Sequence, residues 1–290
     1  MFFEEWPLIM FTLAGQLAIG SFIVLAIVRF FLSRQDADVA AKLTDKGLLA
    51  VGAVMVVASL LPIFHLGSPA GAYRSFANAG SSWLSRESMT TGAFFGCWFL
   101  TFIAYRRKQG GSVLAWGTSL VGMAAVLSMA NVYVSSIRPA WMHVNTYLAF
   151  FGTTFALGSV GALAAILYGA EKEQLTAAVV GHLKKMSVMA GIAVGLPLLF
   201  FPVFLSSLTQ GNPAAQLSAR LLTEQYLLPL IASGILSLAG AGLVCHAVWT
   251  GGSPALSKRV YMAFVLVLIG EFMGRVVFYG SAVTTGIGLN

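Results

Sequence analysis

One polar segment joins a histidine to a glutamate: His65-Leu-Gly-Ser-Pro69, then Tyr73-Arg74, then Trp83-Leu-Ser-Arg-Glu87. An imidazole that titrates near neutrality and a carboxylate are suited to removing protons from a substrate. A hydroquinone releases protons as it loses electrons, so its site needs such bases beside an apolar slot for ring and tail. Arg74 and Arg86, in the same segment, have the charge to polarise a substrate oxygen. Equally open is a local role, with Glu87 favouring the positive end of a helix and His65 binding the last carbonyls of another.

A second constellation lies in Gly270-Glu-Phe-Met-Gly-Arg-Val-Val-Phe-Tyr-Gly280, where Glu271 and Arg275 stand four apart on one helical face. That spacing predicts an ion pair, serving either helix packing or a proton route, because charges inside a membrane face protein or a cavity. Asn131, Tyr133, Arg138, Trp141, His143 and Asn145 form a third polar group, although Tyr133 and Trp141 also suit an interfacial aromatic belt. A haem would need paired axial ligands. His65 with His143, and His182 with His246, do not look buried at matching depth. Cys97 and Cys245 belong to no Cys-x-x-Cys pair, so no zinc, iron–sulfur or disulfide framework is encoded.

The elements that position these groups follow from composition. Of 290 residues, 58% are hydrophobic and 9% charged, against about 25% charged in soluble domains. Eight apolar runs, over residues 7–32, 47–65, 88–105, 113–136, 144–169, 185–207, 226–249 and 260–282, are each close to the length that spans a bilayer. The protein is therefore expected to be an all-α integral membrane bundle of eight transmembrane helices, a single polytopic domain over 1–290. The acidic start, Glu4 and Glu5, is unlike a cleaved leader.

Basic residues give the orientation. The loops after the first, third, fifth and seventh runs hold twelve of the seventeen Lys and Arg residues, and basic loops stay in the cytoplasm. Both termini and the 65–87 segment are therefore expected on the outer, periplasmic side. The positive charge is scattered among short loops, which argues against nucleic acid. Two stretches, 66–87 and 207–225, read as long outer loops suited to docking, while Glu171 to Lys185 reads as a short interfacial helix. Gly191 with Gly195 and Gly270 with Gly274 have the spacing of close helix packing, and Pro202 and Pro229 fall where helices six and seven could be interrupted.

The strings His65-Leu-Gly-Ser-Pro69, Arg74-Ser-Phe-Ala-Asn78 and Ser82-Trp-Leu-Ser-Arg-Glu87 resemble the membrane anchor subunit of bacterial dimethyl sulfoxide reductases. The opening Glu5-Trp-Pro-Leu-Ile-Met-Phe-Thr12 with Gly15-Gln16, and the segment Gly270 to Gly280, are similar to that family too, so the likeness covers the whole sequence.

The resemblance implies a subunit of a respiratory enzyme in the bacterial cytoplasmic membrane. Its partners would be an iron–sulfur electron-transfer subunit and a molybdopterin catalytic subunit, and the quinone pool of the lipid would feed it. It implies menaquinol as bound substrate, no haem or iron–sulfur cluster in this subunit, and His65 and Glu87 at the quinol site, with Arg74 and Arg86 nearby. Anchors of polysulfide, thiosulfate and tetrathionate reductases are similar in a broader sense. A secondary transporter with Glu271 and Arg275 as its coupling site is the reading from a different class.

Overall fold

The computed structural model describes residues 2–65, 78–251 and 256–286, and for residues 2–4, 65 and 172 the backbone alone. Nine α-helices are formed among the described residues: α1 (Phe2–Leu32), α2 (Ala37–Leu60), α3 (Trp83–Arg106), α4 (Ser112–Val134), α5 (Val144–Gly169), α6 (Ala177–Thr209), α7 (Pro213–Arg220), α8 (Leu227–Thr250) and α9 (Leu256–Gly280). All but the short α7 are long and apolar enough to cross a membrane, which makes eight spans. An even number of crossings returns the polypeptide to the face where it began.

Several helices outrun their apolar cores, because polar residues at a helix end continue the backbone hydrogen bonding into the interface. α2 begins ten residues before its apolar run, on Asp36, whose Oδ1 accepts the backbone N–H groups of Asp38 and Val39 at 2.9 and 3.0 Å. α6 begins at Ala177, capped by the Thr176 hydroxyl. The separate interfacial helix expected from Glu171 to Lys185 is thereby corrected. Residues 177–185 are the first turns of α6, and Val179 and Leu183 are buried against the bundle, not laid on lipid.

The stretch 207–225 is also more ordered than a loop. Asn212 caps α7 with Pro213 in its first turn, and a wide π turn over Leu221–Gln225 leads into α8. Pro202 sits within an unbroken α6, and Pro229 falls in the first turn of α8, where no helical partner for its nitrogen is needed.

α1 and α5 form the core of the bundle. The central window of α1 is 83% buried and that of α5 67%, whereas that of α6 is 22% buried. They cross at Gly20 and Gly158, where the two backbones touch and a Cβ on Gly20 would strike the Thr154 carbonyl. Small residues permit this approach where lipid gives helices no hydrophobic reason to associate. Gly270 fits the same expectation, pressed onto the α8 backbone at Ser233 and Ser237, but Gly191 and Gly195 face open space and do not pack helices.

At the face away from the two termini, Arg29 of α1 is buried over the Tyr105 ring at 4.0 Å, donates to Thr44 at 2.9 Å and pairs with Asp45. This cluster ties α1, α2 and α3 together at one end. The opposite end is left to the groups singled out for chemistry.

Candidate functional site

Glu87 stands in the second turn of α3, a helix that starts at Trp83 with the Ser82 hydroxyl accepting the Ser85 N–H. The helical turn aims Glu87 inward, where it is 5% exposed, while its neighbour Arg86 turns outward. Arg86 donates Nε to Ala79 O at 2.8 Å and Nη2 to Gly80 O at 2.7 Å, and its guanidinium lies 4.3 Å over the Trp83 ring. It therefore holds the turn that introduces α3.

Glu87 opens on a cavity of about 300 Å³ at the end of the bundle that carries both termini. Tyr133, Tyr279, Arg138 and Glu5 supply its other polar walls, and Leu8, Phe11, Leu84 and Val132 are among its apolar ones. This is near the lower end of the about 300–1,000 Å³ usual for small-molecule pockets. Among the described residues the Glu87 carboxylate has no hydrogen-bond or ion-pair partner. A carboxylate desolvated in this way is a strong acceptor for any O–H entering the cavity.

The far wall is rigid and aromatic. The Tyr133 and Tyr279 hydroxyls hydrogen-bond each other, joining α4 to α9. Trp141 donates Nε1 to Phe278 O at 2.9 Å and stacks on the Phe278 ring at 5.4 Å, while the Arg138 guanidinium lies 4.3 Å over the Trp141 ring. Edge contacts between Tyr133 and Trp141 at 5.0 Å complete the wall. Packed aromatic pairs of this kind hold polar hydroxyls at fixed positions.

His65 ends a short 3₁₀ turn, Leu61–His65, that continues α2. Its side chain, and Arg74 entirely, lie outside the described residues, so the expected approach of His65 to Glu87 does too.

The second constellation is assembled differently from its spacing. Glu271 and Arg275 make no direct ion pair within 4 Å among the described residues, and Thr153 of α5 stands between them. The Thr153 hydroxyl donates to Glu271 Oε2 at 2.7 Å and receives Arg275 Nη2 at 3.4 Å, while Ser237 donates to Glu271 Oε1 at 3.0 Å. Arg275 also donates Nη2 to Gln16 Oε1 of α1 at 2.8 Å and stacks 4.0 Å over Phe150. The relay joins α1, α5, α8 and α9 inside the apolar layer, where a side chain has few other ways to satisfy charge.

The remaining histidines with described contacts are locally engaged. His143 caps α5, its Nδ1 accepting the Asn145 N–H at 3.0 Å, and packs on Phe204 at 5.1 Å; His182 stacks on Phe31 at 5.8 Å. Among the described residues, no three of His, Cys, Asp and Glu gather as metal ligands, and Cys97 and Cys245 are free thiols. Gln16, Thr153, Ser237 and Tyr279 were not singled out individually from the sequence, and their signal was weak. Each is a neutral polar residue in an apolar run, and only the packing shows which of them meet.

Residues 1–281 match the family model described as DMSO reductase anchor subunit (DmsC). The protein is 28% identical over 296 residues to the YnfH subunit of an anaerobic dimethyl sulfoxide reductase of Escherichia coli, an alignment that spans 99% of this sequence and 98% of that one. It is 29% identical over 300 residues to the C subunit of the anaerobic dimethyl sulfoxide reductase of the same organism, with coverage of 98% and 97%. With the corresponding C subunit of Haemophilus influenzae the identity is 25% over 290 residues, spanning 98% and 96%.

Proposed function

This protein belongs to the DMSO reductase anchor subunit (DmsC) family, and on that premise we propose that it oxidises menaquinol in the cavity beside Glu87. The electrons then pass to an iron–sulfur subunit docked over the same face, and a molybdopterin subunit carries out the terminal reduction. As a family member with eight apolar spans, the protein is the membrane anchor of a dimethyl sulfoxide reductase type complex.

The observation that carries the reading is the Glu87 carboxylate, without a partner among the described residues, at an apolar-walled cavity of about 300 Å³. A quinol ring fits between Leu8, Phe11 and Val132, and one hydroxyl donates to Glu87. The Tyr133–Tyr279 pair closes the opposite side. Since Arg86 is committed to the Ala79 and Gly80 carbonyls, Arg138 and Arg74 are the cations left to polarise the ring oxygens. His65 is the natural base for the second hydroxyl, at the end of the turn that leads into the same polar segment. Positive-inside charge asymmetry supports an outward-facing site in the bacterial cytoplasmic membrane, so the protons leave on the outer side.

Replacement His65→Arg in the complete complex tests this. Quinol-dependent reduction is expected to be lost while assembly and dye-driven reduction persist. Normal turnover with quinol would remove the assignment.

A further inference from the structure

A second cavity, of about 150 Å³, lies between α5, α6, α8 and α9, and only Trp141 also lines the first. Its polar wall carries Arg275, Glu271 and Asn145; Phe201, Phe204 and Phe278 face them. Arg275 is 3% exposed, and its Nη2 is spent on Gln16 and Thr153, but its Nη1 is buried with no acceptor among the described residues. On the same cavity the Asn145 Oδ1 is buried with no donor among them. Leaving a charged donor unmet inside a membrane is expensive, so a built cavity with one free donor and one free acceptor is shaped for a ligand with the complementary pair.

We propose that this cavity is a second quinone-type site, in which one ring oxygen of a quinol accepts from Arg275 Nη1 and the other ring hydroxyl donates to Asn145 Oδ1. It rests on the reading above only in taking the quinone pool as the ligand source. The carboxylate of Glu271 on the same wall already balances the Arg275 charge, so the cavity has no net attraction for an anion such as a lipid phosphate or a fatty acid, and a neutral ring needs none. The ring lies against aromatic side chains that are already packed together: Trp141 stacked on Phe278 at 15°, and Phe201 edge-on to Phe204 at 5.9 Å. The shared Trp141 wall makes it a station beside the oxidising cavity.

The test uses the whole complex in native lipid, an azido-naphthoquinone with a short isoprenoid tail as photolabel, and peptide mapping by mass spectrometry. Labelled peptides are expected around Glu87 and, separately, on α6 and α8, which line only the second cavity. A Cβ on Gly274 would meet nothing nearer than Ser233 at 3.8 Å, so Gly274→Leu is expected to fold while its side chain fills the cavity. In Gly274→Leu and in Arg275→Met, labelling of α6 and α8 should fall about ten-fold, the effect of losing a charge-assisted hydrogen bond. In Gly274→Leu, labelling around Glu87 should stay within about two-fold, because Gly274 does not line that cavity.

Absence of label on α6 and α8 in the native complex means a cavity holding water only, and overturns the proposal. So does label there that Gly274→Leu leaves unchanged, or native mass spectra in which a phospholipid is lost from that variant in place of quinone. Label on α6 and α8 without label near Glu87 upholds this site and sinks the reading of the first.

Discussion

Glu87→Gln is the sharpest perturbation available, because it changes the chemistry of the main cavity and not its shape. The side chain is 5% exposed and has no partner among the described residues, so the amide inherits the same space without breaking a contact. Its carbonyl still accepts a hydrogen bond from a quinol hydroxyl, which keeps binding close to normal. What is lost is the capacity to take the proton as electrons leave. Positioned general bases contribute about 10²–10⁴-fold, and the lower figure corresponds to about 2.7 kcal/mol of barrier. Steady-state reduction driven by a menaquinol analogue in isolated membranes should therefore lose at least about 100-fold in kcat, with a much smaller change in KM. Dye-driven reduction in the same membranes reports the partner subunits and should not change. A Glu87→Gln complex whose quinol-driven kcat stays within about two-fold of normal would refute a proton-accepting role, since no general base is dispensable at that level.

Three further outcomes follow from packing and capping. Gly20→Ala drives a methyl group into the Thr154 carbonyl and should cost about 1–3 kcal/mol of overpacking, read as a lower unfolding midpoint in detergent. Gly92→Ala, where a Cβ meets nothing within 4 Å, should instead be neutral or stabilising by up to about 1 kcal/mol from helix propensity. His143 gives a pH dependence: burial holds its imidazole below the ordinary 6.5, and its Nδ1 accepts the Asn145 N–H only when unprotonated. The unfolded state therefore binds the proton first, and stability that is complete above 6.5 is lost as pH falls below it. Amide exchange in the first turn of α5 should accelerate on acidification, and His143→Asn, which keeps a capping acceptor without a titrating ring, should flatten the response.

The spans were legible because each apolar run is close to a bilayer in length, and all eight form helices. Their ends were not, where Asp36 or Thr176 starts a helix well before the apolar core and only local capping marks the place. Nor was the order of layers. α1 and α6 are similarly apolar, yet one is enclosed by the bundle and the other stands largely on its outside, and periodicity cannot separate two apolar surroundings. Glu87 was legible as a candidate from residue type and position. Its cavity was not, since Tyr133, Tyr279 and Leu8 come from three other helices. The four-residue spacing of Glu271 and Arg275 gave the shared region but misplaced the contact. At that depth each group found hydroxyls on neighbouring helices, and Thr153 came between them.

That misplacement bears on how the bundle is held. A direct pair within α9 would stabilise one helix and say nothing about its neighbours. By taking their partners from elsewhere, Glu271 reaches α5 and α8, and Arg275 reaches α5 and α1. Interhelical hydrogen bonds in membranes are individually modest, averaging about 0.6 kcal/mol. Their larger effect here is on register, because sliding α9 by one turn would strand both charges in apolar surroundings at once. The same register brings Tyr279, four residues beyond Arg275, to the hydroxyl of Tyr133 at the wall of the Glu87 cavity. α1 repeats the pattern along one helix: Glu5 on that cavity, Gln16 on Arg275, and Arg29 in the cluster with Asp45 at the opposite face. The polar groups in the membrane interior therefore fix the position of the Tyr133–Tyr279 wall of the Glu87 cavity.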